Sequence, residues 1–190
     1  EYFNLSYLDT GILYRAVALQ MLTEGINEND YRSAQKVAQQ VSIASIDHTG
    51  IRTRAVSDLA SKIATISTVR QELLTRQRRF AQNPDPDKDG AILDGRDIGT
   101  VVCPNADFKL FIMAELEIRA KRRWKELLQS DPTAIYCEVL EEMRSRDERD
   151  TNRKDAPLVV TSDAMIIDTS NKSIDVSFNE AKNWILSRRF

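Results

Sequence analysis

A chain of 190 residues, 42% of them hydrophobic, can bury one good core and a small subdomain, and a net charge of −2 with a pI near 5.6 argues against a general binder of nucleic acid or anionic membrane. No apolar run approaches the ~20 residues that span a bilayer, no signal-peptide pattern is legible, and Cys103 and Cys137 stand apart without a CxxC spacing, so a reducing, cytoplasmic setting is expected. His48 is the single histidine, which leaves almost nothing for a zinc site or a Ser-His-Asp triad; catalysis must run on Arg, Asp, Ser, Thr, backbone and added ions.

Residues 4–8 read as a short strand, and Asp9-Thr10-Gly11 as a turn opening a helix to about Leu22, with Leu13, Ala16 and Val17 on one face. The hydroxyl of Thr10 and the cation of Arg15 stand at a helix start of the kind that attracts phosphate. An ordinary capped helix with a solvated arginine is the plainer alternative. Residues 30–41 give a weakly amphipathic helix, followed by a polar loop with Asp47, His48, Thr49 and Gly50. The helix over 55–66 carries Val56, Leu59, Ala60 and Ile63 at i, i+3, i+4, i+7, and another runs from Thr68 to about Ala81. Ser61 and Arg70 flank the break between these two helices, where the plain reading is surface. Asn83-Pro84-Asp85-Pro86-Asp87 is a loop.

That loop leads into Ala91-Ile92-Leu93-Asp94-Gly95-Arg96-Asp97-Ile98-Gly99-Thr100-Val101-Val102, a buried strand that stops and hands charged side chains to a loop, the place where α/β folds bind ligands. An arginine there suits anionic oxygens and a neighbouring carboxylate accepts from amino or hydroxyl groups, which suggests a nucleotide. Phe108–Met113 is a further strand, and the helix from Glu115 to about Gln129 sets Leu116, Ala120, Trp124 and Leu127 against a row of Arg119, Arg122, Arg123 and Glu126. The row is either solvated or a flap over triphosphate. A helix over 134–151 is expected to bury Ile135, Val139 and Met143. If it continues, Arg146, Asp150 and Arg153 share one face, as a surface ion network or a ribose-and-phosphate clamp. Ala164–Asp168 is the last strand, and a helix over 173–188 turns Ile174, Phe178, Ala181 and Ile185 inward.

In order, these segments closely resemble the bacterial cytidylate (CMP/dCMP) kinase family of P-loop nucleoside monophosphate kinases. The matching text is Tyr7-Leu8-Asp9-Thr10-Gly11 with Tyr14-Arg15-Ala16, Ile51-Arg52-Thr53 with Ala60-Ser61, and the block from Asp94 to Val102. It continues through Arg119-Ala120-Lys121-Arg122-Arg123, the run Arg146 to Arg153, Ala156-Pro157-Leu158 and Ile167-Asp168-Thr169-Ser170. The Gly95-to-Val102 and Arg146-to-Arg153 blocks at this separation are far more specific than any single short motif.

The resemblance implies an α/β fold, a three-layer α/β/α parallel sheet of the P-loop kinase type, as a single domain over 1–190 with a short nucleotide-binding insert near 25–68 and a lid near 115–135. It implies in-line transfer of the γ-phosphoryl of ATP, with Mg²⁺, to CMP or dCMP, by positioning and charge neutralisation. Thr10, Arg15, Arg96 and Arg153 would hold the monophosphate, and Ser61, Arg70 and Asp97 would read the cytosine edge and disfavour uracil. Arg146 and Asp150 would contact the ribose and lid side, while Arg119, Arg123 and Arg153 would stabilise the transferring group. Asp94 would orient magnesium waters, or be simply a turn-forming residue. A monomer without nucleic-acid or membrane partners is expected. Other acceptors (UMP, AMP, shikimate) and a non-catalytic nucleotide-binding fragment are the alternatives.

The family's GxxxxGK loop is not present in these residues, which contain no Gly-Lys pair. The expectation is therefore a front-truncated, inactive chain without the central P-loop strand, with the strands ending at Asp94 and Met113 left with unpaired edges. CDP synthesis from MgATP would overturn that expectation. The segment before Ile51 is also too short for the antiparallel strands that many family members carry in the insert.

Overall fold

The computed structural model describes residues 2–42, 50–129 and 131–188; the expected loop at Asp47, His48 and Thr49 lies outside them. The chain divides into two compact units, one of residues 1–104 with 152–158, the other of 105–151 with 159–190.

The first unit opens with β1 (Ser6–Asp9), followed by helices α1 (Gly11–Thr23), α2 (Tyr31–Gln40), α3 (Arg54–Ile63) and α4 (Ser67–Gln82), then β2 (Ala91–Asp94) and a single π-helical turn over Ile98–Val102. β1 and β2 run parallel with Asp9 opposite Asp94. Local chemistry sets the helix boundaries. Asp30 caps α2 by accepting from Ser33 N at 3.1 Å, and Thr53 caps α3 by accepting from Val56 N at 3.3 Å. Gly25, at φ +66°, ends α1 in the left-handed conformation that glycine adopts without steric cost.

The core of this unit lies between its helices. Leu13, Val17 and Met21 of α1 pack with Ala34 and Val37 of α2, Val56 and Ile63 of α3, and Val69 and Leu73 of α4, all in one buried cluster. The i, i+3, i+4, i+7 stripe of α3 is buried as its spacing demands. Each large side chain here contributes about 1.5–3 kcal/mol by leaving water.

The second unit holds β3 (Leu110–Met113), α5 (Leu116–Leu127), α6 (Tyr136–Asn152), β4 (Met165–Asp168) and α7 (Ile174–Ser187), with β3 and β4 parallel and Leu110 opposite Met165. The protein is thus mixed α/β with parallel strands, and each unit carries its own strand pair. Two expected faces differ. Ile135 precedes α6 and is exposed, while Val139 is buried; Ile174 is 88% exposed and Phe178 is also exposed, so α7 does not turn its whole stripe inward. α7 packs on β4, a strand of four residues, which offers too little surface to cover four apolar positions along a helix.

Candidate active site

The paired ends of β1 and β2 create the first cluster. Thr10 N and Thr10 Oγ1 both donate to the Asp94 carbonyl, at 2.9 and 2.7 Å. The hydroxyl therefore does not cap α1, contrary to the plain reading of this segment; Asp9 Oδ1 accepts from the first helical amide, Gly11 N, at 2.9 Å. Gly95 follows, pressed so closely on Thr10 Oγ1 that no Cβ would fit. Desolvation, reinforced by Asp9, pushes the Asp94 carboxyl above its usual range, and Arg96 opposes that shift.

One turn of chain further, Asp97 is buried and ion-paired with Arg70 of α4, itself 9% exposed. Arg70 Nη2 donates to Asp97 Oδ2, and Nη1 reaches back across the α3–α4 break to the Ala64 carbonyl at 3.0 Å. The surface expectation for Ser61 and Arg70 is thereby corrected: both are buried, because the break turns the adjoining helix faces inward. The Asp97 carbonyl accepts from Val101 N (2.9 Å), Val102 N (3.2 Å) and Thr100 Oγ1 (3.2 Å), which fixes the π-turn to the residue bearing the carboxylate. Arg78 of α4 closes its far end, donating to the Val101 and Val102 carbonyls at 2.7 and 3.2 Å.

Arg70 and Asp97 line a pocket of about 410 Å³ together with Tyr14, Gln77, Ser67 and Asp155. The Arg70 guanidinium lies over the Tyr14 ring at 5.9 Å from its centroid. Burial raises the Tyr14 phenol pKa, so this hydroxyl stays protonated at neutral pH. Ser67 Oγ donates to Asp155, tying the start of α4 to the 152–158 segment. Arg153 lies just past the end of α6, so it leaves the helical face expected to join it to Arg146 and Asp150. Its Nε donates to the Ala156 carbonyl at 2.6 Å, in a turn where Ala156 has φ +51°.

Of the residues assigned by resemblance, then, Arg70 and Asp97 meet in the pocket, Thr10 and Arg96 bracket Gly95, Arg15 follows Tyr14 along α1, and Ser61 is buried on α3 outside the pocket lining. In the second unit, Arg119 makes a bidentate pair with Asp147 (3.2 and 2.7 Å) and donates from Nε to the Ala114 carbonyl at 2.8 Å. Arg123 pairs with Glu126 at 2.9 Å, and Arg146 with the buried Asp150 at 3.9 Å. Sequence reasoning assigned no role to Gln77 or Tyr14. The signal for Gln77 was its place seven residues after Arg70, on the same side of α4.

An α/β protein with parallel strands and a charged, buried Arg–Asp pair in a pocket beside a strand end belongs to a class that binds small polar ligands there. The family described as Cytidylate kinase matches residues 1–185. A cytidylate kinase of Paramagnetospirillum magneticum is 49% identical over 186 residues, 98% of this chain and 88% of the relative. Those of Azorhizobium caulinodans and Brucella suis biovar 1 are 46% and 42% identical, over 95% and 97% of this chain and 85% and 82% of theirs. The chain belongs to the cytidylate kinase family and is accordingly a nucleotide-binding phosphotransferase.

Proposed function

We propose that this protein serves the transfer of the γ-phosphoryl of ATP to CMP or dCMP, giving CDP or dCDP, in the cytoplasm, and that the residues here build the acceptor side; the GxxxxGK loop that holds the donor is not among them. The observation that carries the reading is the buried Arg70–Asp97 pair in the pocket with Tyr14. A carboxylate accepts from the exocyclic amine of cytosine, whereas the carbonyl of uracil at that position would face it unpaired, a mismatch costly away from water. The adjacent guanidinium donates to ring nitrogen and carbonyl; Ser61, the third reader that the family resemblance implies, is buried on α3 outside the lining of this pocket.

Thr10, Arg15, Arg96 and Arg153 hold the monophosphate in this reading, by charge-assisted hydrogen bonds. Arg146 and Asp150 contact the ribose. Arg119, Arg123 and Arg153 neutralise charge on the transferring group, and for Arg119 that means exchanging Asp147 for phosphoryl oxygens. Mg²⁺ travels with ATP and neutralises its phosphates. Among the chain's own residues Asp94 suits a contact through water, since the repulsion from Asp9 is relieved by a nearby cation.

Isothermal titration of CMP into the chain and its Arg96→Ala variant tests the phosphate assignment. The exposed Arg96 contributes little to the fold, so the variant should melt as the parent does and lose CMP binding at least tenfold. Unchanged CMP affinity overturns the assignment.

A further inference from the structure

Gln77 is a long polar side chain only 2% exposed, on the buried side of α4. It stands four residues beyond Leu73 and seven beyond Arg70, so all three fall on one face. A carboxamide taken out of water in such a place is costly unless it finds a partner. The partner is Tyr14 of α1, on the same pocket wall: a hydrogen bond from the Gln77 side chain offsets part of the rise that burial imposes on the phenol. Both residues line the pocket that holds Arg70 and Asp97.

The contacts form a chain. The Tyr14 hydroxyl faces Gln77, and the Tyr14 ring face carries the Arg70 guanidinium. Arg70 in turn is anchored by the Ala64 carbonyl and by Asp97. A ring hydrogen-bonded at its hydroxyl, with a guanidinium 5.9 Å from its centroid, is restrained at both places, and a shift of the ring is felt by the guanidinium.

We propose that Gln77 is a specificity-determining positioning residue: by holding the Tyr14 hydroxyl it fixes the ring against which Arg70 and Asp97 are aligned for a pyrimidine base. The inference rests on the reading of this pocket as the cytosine site. It adds an amide and a phenol to that site, neither of which need touch the monophosphate.

The test is a double-mutant cycle read by calorimetric titration of the full chain with CMP and with UMP, with melts recorded alongside. Gln77→Met keeps length and removes the amide; Tyr14→Phe keeps the ring and removes one oxygen. Each variant should lose about five- to tenfold in CMP affinity and narrow the CMP-over-UMP preference, and the double variant should be no worse than the weaker single, since both remove the same link. A Gln77→Met chain that binds CMP within twofold of the parent, with the CMP-over-UMP ratio intact, overturns the inference even if its Tm falls. If Gln77→Met does not fold, Tyr14→Phe decides alone by the same two criteria. A parent chain that binds CMP no better than UMP overturns the base-site reading itself, an outcome separate from the failure of Gln77.

Discussion

Gly95 illustrates how little room the strand-end cluster leaves. A Cβ there would overlap Thr10 Oγ1 and come within 2.9 Å of Ile98 Cδ1, so Gly95→Ala should destabilise the protein by about 1–3 kcal/mol in denaturant unfolding and disturb the neighbouring Arg96. Next to it, the raised pKa of Asp94 has a definite sign. The folded state holds this proton more tightly than the unfolded chain, so stability falls as pH rises from the ordinary carboxylate range through the folded pKa. Asp94→Asn should therefore raise the Tm slightly at neutral pH and leave it nearly unchanged at about pH 3, below both values. An unaltered Tm at neutral pH would mean that neither the desolvation of Asp94 nor its crowding by Asp9 affects stability. For the Arg70–Asp97 pair, Arg70→Met strands a buried carboxylate and should cost roughly 3–5 kcal/mol. What was legible at this scale came mainly from the family resemblance: it named Arg70 beside Asp97, although Arg70 lies outside the matching blocks, while its place at a helix break read as surface. Gln77 escaped because it lies in the run Arg76-Gln77-Arg78-Arg79, where polar residues on every side hide the one that points inward.

At the scale of elements, α4 is the part that organises the pocket. It contributes Val69 and Leu73 to the core, Arg70 and Gln77 to the pocket wall, and Arg78 to the end of the π-turn. Arg70 grips the side chain of Asp97 and Arg78 grips the carbonyls at the other end of the same turn, so one helix sets the loop from both sides. Replacing Arg78 by Ala should speed hydrogen exchange at Val101, Val102 and Cys103 and weaken CMP binding a few-fold, with little loss of global stability, since the residue is exposed. Unchanged exchange at those amides would show that the turn holds itself. Helices with a strong apolar stripe, α3 above all, were legible because 3.6-residue spacing admits one buried face. The π-turn was not legible, since its shape follows from the Asp97 carbonyl accepting several donors at once, a feature without periodic signature. The end of α6 falls within a residue of its expected place, at Asn152; what was hidden is that the Arg153 guanidinium bonds its own turn at Ala156.

For the whole molecule, the sequence correctly conveyed alternating strands and helices and parallel pairing, but not where burial would concentrate. The largest fully buried side chains lie mostly in α1 to α4, whereas the described residues of the second unit contribute Ala114, Ala120, Val139 and Ile167 to the buried hydrophobic set. Apolar strand residues looked like the core from composition, yet Ile92, Ile112 and Ile166 are substantially exposed, because among the described residues each strand has a single partner and four residues of length. Membership of the cytidylate kinase family rests on nearly the whole length, and the acceptor reading rests on one pocket within the first unit. Ligand that binds the folded chain alone stabilises it by roughly 2.7 kcal/mol at a hundred times its Kd, which for a chain of this length is a Tm rise of about 5–10 °C. The most direct measurement is a set of thermal melts of the chain alone and with CMP, UMP or AMP at equal, high concentration. The account predicts a rise of that size with CMP and a much smaller one with UMP and AMP; equal shifts with all three, or none with CMP, would contradict it.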